Sequence, residues 1–331
     1  MIDPFFCDGP TIIGVSGGRS SAMLLRRTVQ AHGGRLPPHV HAVFANTGKE
    51  RPETLDFLAR CAEAWGVDLR WIERDRDEGF VEVTYETASR AGEPFAALIA
   101  EKRYLPNATE RTCTEGLKVE PSAAFMRAQG YESWTSFVGF RRDEGHRVAR
   151  VRARESSEEP EEPAQLALDI DVGRARKPRK RRRQEWTSAF PLYAARVGKT
   201  DVLDFWRAQP FDLALRPWES NCDGCPLKPV AVLERTERER PGTLAWWAEQ
   251  EYRVGATFTK GRTYLRVIEQ AQRPPFPGML ADPDEDTAPL PCSCTDRRAA
   301  RWRCICGKHR KGAKGHTLLC VVARNDARRA A

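Results

Sequence analysis

The stretch "TIIGVSGGRSSAML", residues 11–24, passes from an apolar run through a Ser-Gly-Gly turn into a helical pattern. "TIIGV" reads as a short buried strand, and a helix is expected from Ser20 to His32, stopping at Gly33-Gly34. Glycines let a backbone approach an anion closely, and successive amides at a helix N-terminus supply positive potential. Ser16, Gly17, Gly18, Arg19, Ser20 and Ser21 are therefore candidate phosphate-binding residues, with three hydroxyls as added donors. The turn has neither the Gly-Lys-Ser/Thr ending of a Walker A loop nor the spacing of a dinucleotide G-x-G-x-x-G loop. A plain strand-to-helix turn is the alternative reading.

Strand-like and helix-like segments continue to alternate outward from this turn. "VHAVFA" (40–45) reads as a strand and "RPETLDFLARCAEAWG" as a helix, with Pro52 in its first turn and Gly66 as its stop. "DLRWIER" reads as a third strand, "VEPSAAFMRAQG" as a later helix and "SWTSFVGF" as a later strand. This alternation implies βαβ units and an α/β fold built on a parallel sheet. Ligands of such sheets sit beyond the C-terminal strand ends, where both the Ser-Gly-Gly turn and "NTGKE" fall. Asn46, Thr47, Gly48 and Glu50 are accordingly candidates for reading a ribose or a base, with an ordinary helix cap as the alternative.

The expected organisation is an α/β nucleotide-binding domain over 1–150, a disordered charged insertion over 151–185, a mostly helical part over 186–272, and a linker with a Cys-rich basic tail over 273–331. With 331 residues and 40% hydrophobic content the chain can bury a substantial core. No apolar run approaches the ~18 residues of a membrane span, and the N-terminus "MIDPFFCDGP" does not read as a secretory leader, so a cytoplasmic protein is expected. The net charge of +8 concentrates in "RARKPRKRRR" (174–183) and in the tail. That points to a polyanionic partner such as nucleic acid, or to a solvated surface.

The 10 cysteines read as metal ligands or reactive thiols rather than disulfides in a reducing compartment. Cys222 and Cys225 form a C-x-x-C, and Cys113 lies in "RTCT". These three thiols suit an iron–sulfur cluster; a structural zinc site, a redox pair and buried free thiols are the alternatives. A fourth ligand could come from Cys7, Cys61 or the tail. In the tail, Cys292, Cys294, Cys304 and Cys306 form two C-x-C pairs suited to structural zinc, set among basic residues that suit a nucleic-acid backbone. Arg111, Lys118, Arg141, Arg142 and Arg147 are candidate phosphate or sulfate contacts, and Asp143 and Glu144 could orient a substrate or bind a metal.

Taken together, "SGGRSS", "NTGKERPET", "TASRAGEPF" (87–95), "YLPN" (104–107), "RTCTEGLKVEP" (111–121), "GFRRDEGHR" (139–147) and "NCDGCPLK" (221–228) resemble the phosphoadenosine phosphosulfate (PAPS) reductase-like branch of the PP-loop superfamily. The resemblance runs in order over roughly residues 10–265 and implies an adenine nucleotide alpha-hydrolase-like fold. It implies ATP or a PAPS-like adenine nucleotide held at residues 16–21, with magnesium as a candidate companion. It also implies a 4Fe–4S cluster on Cys113, Cys222 and Cys225, catalytic roles for Cys113, Arg141 and Asp143, and substrate contacts from Arg111, Lys118 and Arg142. Ser20 stands where the adenylating members carry an aspartate. The Glu-Cys-Gly-Leu-His element of the sulfate-assimilation reductases is missing, as is an adjacent Cys-Cys pair. The expected activity is ATP-dependent sulfur transfer to a nucleic acid or nucleotide. The alternatives are a sulfonucleotide reductase releasing sulfite and a zinc-containing nucleic-acid-binding module.

Overall fold

A computed structural model describes residues 3–107, 110–156, 185–216 and 218–273. Most of the charged insertion and the tail, with Cys292, Cys294, Cys304 and Cys306, lie outside the described residues.

Six strands form one sheet: β1 (Thr11–Gly14), β2 (Val40–Asn46), β3 (Leu69–Glu73), β4 (Val81–Val83), β5 (Trp134–Phe137) and β6 (Trp186–Ala189). Their order is β4-β3-β2-β1-β5-β6, and only the β3–β4 pair is antiparallel. The central strands are apolar on both faces because helices cover both. Ile13, Ala42 and Phe44 enter one core while Ile12, Val43 and Ala45 enter the other, the period-2 alternation of a strand read twice over.

On the first face lie α1 (Arg19–Ala31) and α2 (Pro52–Trp65). Met23, Leu24, Leu25 and Val29 pack on Leu55, Phe57 and Leu58. The chain next forms α3 (Glu93–Lys102) and the short α4 (Thr112–Thr114), which runs through a π-helical turn (Glu115–Val119) into α5 (Glu120–Ala128). Helix α5 covers the second face with Phe125 and Met126. After β5 comes α6 (Gly145–Glu155), which extends the ordered region a few residues into the stretch expected to be disordered. Glu155 accepts a hydrogen bond from the Ser188 amide at 3.1 Å, which ties that helix to β6.

The remaining helices are α7 (Pro191–Ala194), α8 (Lys199–Arg207), α9 (Val230–Glu239), α10 (Ala245–Val254) and α11 (Tyr264–Ala271). Helices α9 to α11 join α3 in a separate apolar core around the fully buried Trp247, which stacks on Tyr264 at 5.7 Å and meets Phe95 edge-on at 5.5 Å. This second core is shared between the C-terminal helices and α3, while Leu192, Val202, Trp206 and Phe211 pack into the core of the sheet. Among the described residues no helix is long and apolar enough to cross a membrane.

The strand order places the site. The chain steps outward from β1 to β2 to β3, then returns to lay β5 on the other side of β1. The order therefore switches at β1, and doubly wound sheets bind ligands beyond the C-terminal strand ends at such a switch point.

Candidate active site

Gly17 takes φ +80°, and a Cβ there would lie 2.2 Å from the Thr54 methyl, so the loop passes directly against α2. Helix α1 begins without a side-chain cap and without an acid in its first turn, which leaves its positive end free for an anion. The serines hold the loop shape. The Ser16 amide donates to Ser21 Oγ at 3.1 Å, and Ser21 Oγ–H donates to the Gly18 carbonyl at 2.9 Å. The Arg19 guanidinium is engaged elsewhere, in a bidentate pair with Asp212 at 2.7 and 2.9 Å and on the Leu213 carbonyl at 2.6 Å. Arg19 thus serves as an anchor for the 212–213 segment. Only its backbone remains at the loop.

The loop after β5 meets the first one. A Cβ on Gly139 would sit 3.2 Å from the Ser21 Cα, and Arg141 Nη1 donates to Ser20 Oγ at 3.0 Å. Arg141 also forms a two-point pair with Asp143 at 3.0 and 2.8 Å. That hydrogen-bonded pair holds the Asp143 carboxyl below the usual carboxylate range, although partial burial opposes it. Arg142 is exposed, and its amide donates to the Val197 carbonyl at 2.8 Å. Arg147 stacks over Phe140 at 3.9 Å and pairs with Glu144.

The segment after β2 is wired differently from a simple nucleoside pocket. Asn46 Nδ2 donates to Glu73 at 2.6 Å and to the Ser89 carbonyl at 2.9 Å, both internal contacts. Glu50 accepts from the Thr47 amide at 2.8 Å and hydroxyl at 2.7 Å, and from Lys118 Nζ at 3.3 Å. Gly48, at φ +75°, lies against Gly92 with no room for a side chain. These four residues shape the edge of the crevice largely through contacts with one another and with neighbouring segments.

That same segment carries the C-x-x-C. The Arg51 amide donates to the Asn221 carbonyl at 2.7 Å and the Asp223 amide donates to the Lys49 carbonyl at 3.0 Å, so Glu50 and Cys222 face each other across an antiparallel bridge. Lys49 pairs with Asp223 at 2.9 Å and lies 5.0 Å above the Trp246 ring. Trp247 Nε1 donates to Asp223 at 2.8 Å, and Tyr264 donates to the Gly224 carbonyl at 2.5 Å. Gly224 has no spare room, since a Cβ would fall 2.2 Å from Trp247 Nε1. Gly224→Ala is therefore expected to cost about 1–3 kcal/mol and to displace the turn, read as a lowered melting temperature.

The three expected cluster cysteines share this environment. Cys113 and Cys222 both pack against the helical core. Burial pushes both thiols up, and a negative charge on Cys225 would raise each further. Burial pulls the Lys118 ammonium down, but Glu50 and the Cys222 and Cys113 sulfurs outweigh it and raise its pKa. Arg111 is exposed and opposes the rise at Cys113. Among the described residues no three His, Cys, Asp or Glu side chains converge tightly enough for one metal ion. Thiolates are soft donors suited to an iron–sulfur cluster and to zinc alike. Cys7 and Cys61 do not belong here: both are buried in the sheet core, with thiols pushed up to about 11 and about 12 by burial. The fourth-ligand role considered for them is thus withdrawn, because neither shares the helical core of Cys113 and Cys222.

Sequence reading missed the residue that joins the two halves. Asn221 Nδ2 donates to the Ser16 carbonyl at 2.6 Å, so the residue before Cys222 touches the glycine loop. Its place just ahead of the C-x-x-C was the available signal. The Arg19–Asp212 pair, separated by nearly two hundred residues, had none.

Residues 10–205 match the sequence profile of the Phosphoadenosine phosphosulfate reductase domain. A curated relative, the uncharacterized nin region protein ORF290 of Escherichia phage lambda, is 26% identical over 225 residues, covering 65% of this chain. The match spans 64% of that protein's length. Among solved structures, the U34-tRNA thiolase NcsA of Methanococcus maripaludis with its [4Fe-4S] cluster is similar at 14% identity, covering 78% of this chain and 79% of that one with a TM-score of 0.35.

Proposed function

Because the chain belongs to the phosphoadenosine phosphosulfate reductase domain family, we propose that it is an enzyme that binds an adenine nucleotide at residues 16–21 and transfers sulfur, in an ATP-dependent reaction, to a nucleic acid or nucleotide. One observation carries this reading: Asn221 bonds the Ser16 carbonyl while its neighbour Cys222 bridges Glu50, so phosphate loop and thiols share one edge of the sheet.

The roles follow from the geometry. Amides of the 16–21 loop and the positive end of α1 hold the phosphates. Arg141, kept in place by Asp143, brings a guanidinium to the mouth of that loop. An acceptor oxygen attacks the α-phosphorus, pyrophosphate leaves, and a sulfide equivalent then displaces AMP. Lys118 stands between Glu50 and the thiols and keeps a positive charge facing developing negative charge. A 4Fe–4S cluster on Cys113, Cys222 and Cys225 would supply an iron with an open position for sulfide.

The test is product analysis. Pyrophosphate release from ATP, with sulfur appearing in an added RNA or DNA, supports this reading. Sulfite release from PAPS without pyrophosphate chemistry would replace it with a sulfonucleotide reductase. Ser20→Asp sharpens the nucleotide half. Its carboxylate would meet Arg141 where the hydroxyl now accepts at 3.0 Å, and it would offer an oxygen ligand to magnesium. The expected result is a several-fold change in the magnesium dependence of ATP binding by calorimetry. An unchanged dependence would remove Ser20 from the metal–nucleotide contact.

A further inference from the structure

Directly after the C-x-x-C the chain builds a cleft. The Lys228 amide donates to the Cys225 carbonyl at 3.0 Å, turning the backbone sharply before α9 starts at Val230. Opposite stands a tight hairpin, Thr259 bridged to Arg262 with Gly261 at φ +76°, leading into α11. Between them lies a cavity of about 290 Å³, with Val230, Leu233 and Val267 as apolar walls and Lys228 and Arg262 at its edge. Tyr264 also lines it, and the Tyr264 hydroxyl holds the Gly224 carbonyl, so the cavity wall and the thiol-bearing turn are directly joined.

Arg262 lines the cavity, Lys260 lies in the same hairpin, and Arg266 directly precedes the lining Val267. All three are exposed, and none has a carboxylate within ion-pair distance among the described residues. Neighbouring helices treat their arginines otherwise: Arg253 pairs with Glu249 and Arg235 with Glu239. Leu227 and Leu265 are also exposed, at 44% and 59%.

One lining arginine with two exposed cations beside it in the chain, next to an apolar cavity at the small end of the ligand-pocket range, matches a phosphodiester strand with one base drawn out of its stack. We propose that this cleft seats one unstacked nucleotide of a single-stranded nucleic-acid segment, its base in the cavity and its flanking phosphates on Lys260, Arg262 and Arg266. The site lies apart from the phosphate loop and presents the acceptor beside Cys225. The inference rests on the sulfur-transfer reading for its purpose, while the binding itself is independent of it.

The full chain is titrated into fluorescein-labelled single-stranded RNA and DNA of about 15 nucleotides, long enough to fill such a groove, over a salt series. The triple variant K260A/R262A/R266A is expected to bind at least tenfold more weakly. Its log K against log salt slope should flatten by about 2, since each single-strand phosphate contact contributes about 0.7. Val230→Trp, which fills the cavity without changing charge, should weaken binding with the slope unchanged. ATP binding and melting temperature are measured alongside. If Val230→Trp melts early, crosslinking of a 5-iodouridine strand to the unaltered protein takes its place. Crosslinks within 226–233 or 259–267 support the cleft, and crosslinks confined to other segments overturn it. Wild-type affinity and slope in the triple variant also overturn it, while ATP-dependent pyrophosphate release tests the proposed function separately. A wild-type chain that binds neither strand overturns both the cleft and the nucleic-acid acceptor.

Discussion

Serine at position 113, 222 or 225 is expected to leave a colourless protein with little iron or acid-labile sulfide and a turnover at least a hundredfold lower. A hundredfold corresponds to about 2.7 kcal/mol of barrier. The reasoning is chemical. A thiolate is a soft ligand that a serine hydroxyl does not replace at neutral pH, and the other two described cysteines, Cys7 and Cys61, lie in the sheet core and offer no substitute. Cys61→Ser is the control, because that thiol is buried in the sheet core with its pKa pushed up to about 12. It should keep its iron, with at most a modest loss of stability. Iron and sulfide analysis after anaerobic purification, with a thermal melt, reads all four variants. Full iron content and turnover in any one of the three would remove that cysteine from the cluster.

The second large effect is expected from Gly17→Ala. The backbone there has φ +80°, a region alanine adopts at a cost, and the new methyl would lie 2.2 Å from Thr54 and 3.4 Å from Leu58. Both neighbours are fully buried and cannot yield, so strain and overpacking together should cost about 1–3 kcal/mol. The loop must move away from α2, which misaligns the amides proposed to hold the phosphates. Nucleotide affinity by calorimetry should fall at least tenfold. Gly33→Ala gives the comparison: Gly33 has φ +71° but open space around its Cβ direction. It should show the strain cost alone and keep nucleotide affinity. Equal nucleotide binding by Gly17→Ala and the unaltered protein would mean that the loop does not hold the phosphates.

Much of this architecture was legible in the residue order because the signals are local. The buried run "TIIGV", the amphipathic helix behind it and the Pro52–Gly66 boundaries of α2 rest on periodicity and caps that act within a few residues. The π-helical turn at Glu115–Val119 gave no such warning. Nor did the short edge strands β4 and β6, which are defined by their neighbours more than by their own composition. The candidate site divides along the same line. Ser-Gly-Gly, "NTGKE" and the C-x-x-C are recognisable as stretches, but what each side chain does there is not.

From sequence alone, the chain determined an alternating α/β domain, a glycine loop suited to an anion and three cysteines of one chemical kind. Only the tertiary structure decided that Arg19 leaves the loop for Asp212, that Arg141 arrives at Ser20, and that Asn221 couples the loop to Cys222. The physical reason is the strand order. By returning from β3 to the far side of β1, the fold brings together loops more than a hundred residues apart. Contacts across that crevice are set by packing of the whole sheet, which no local pattern records.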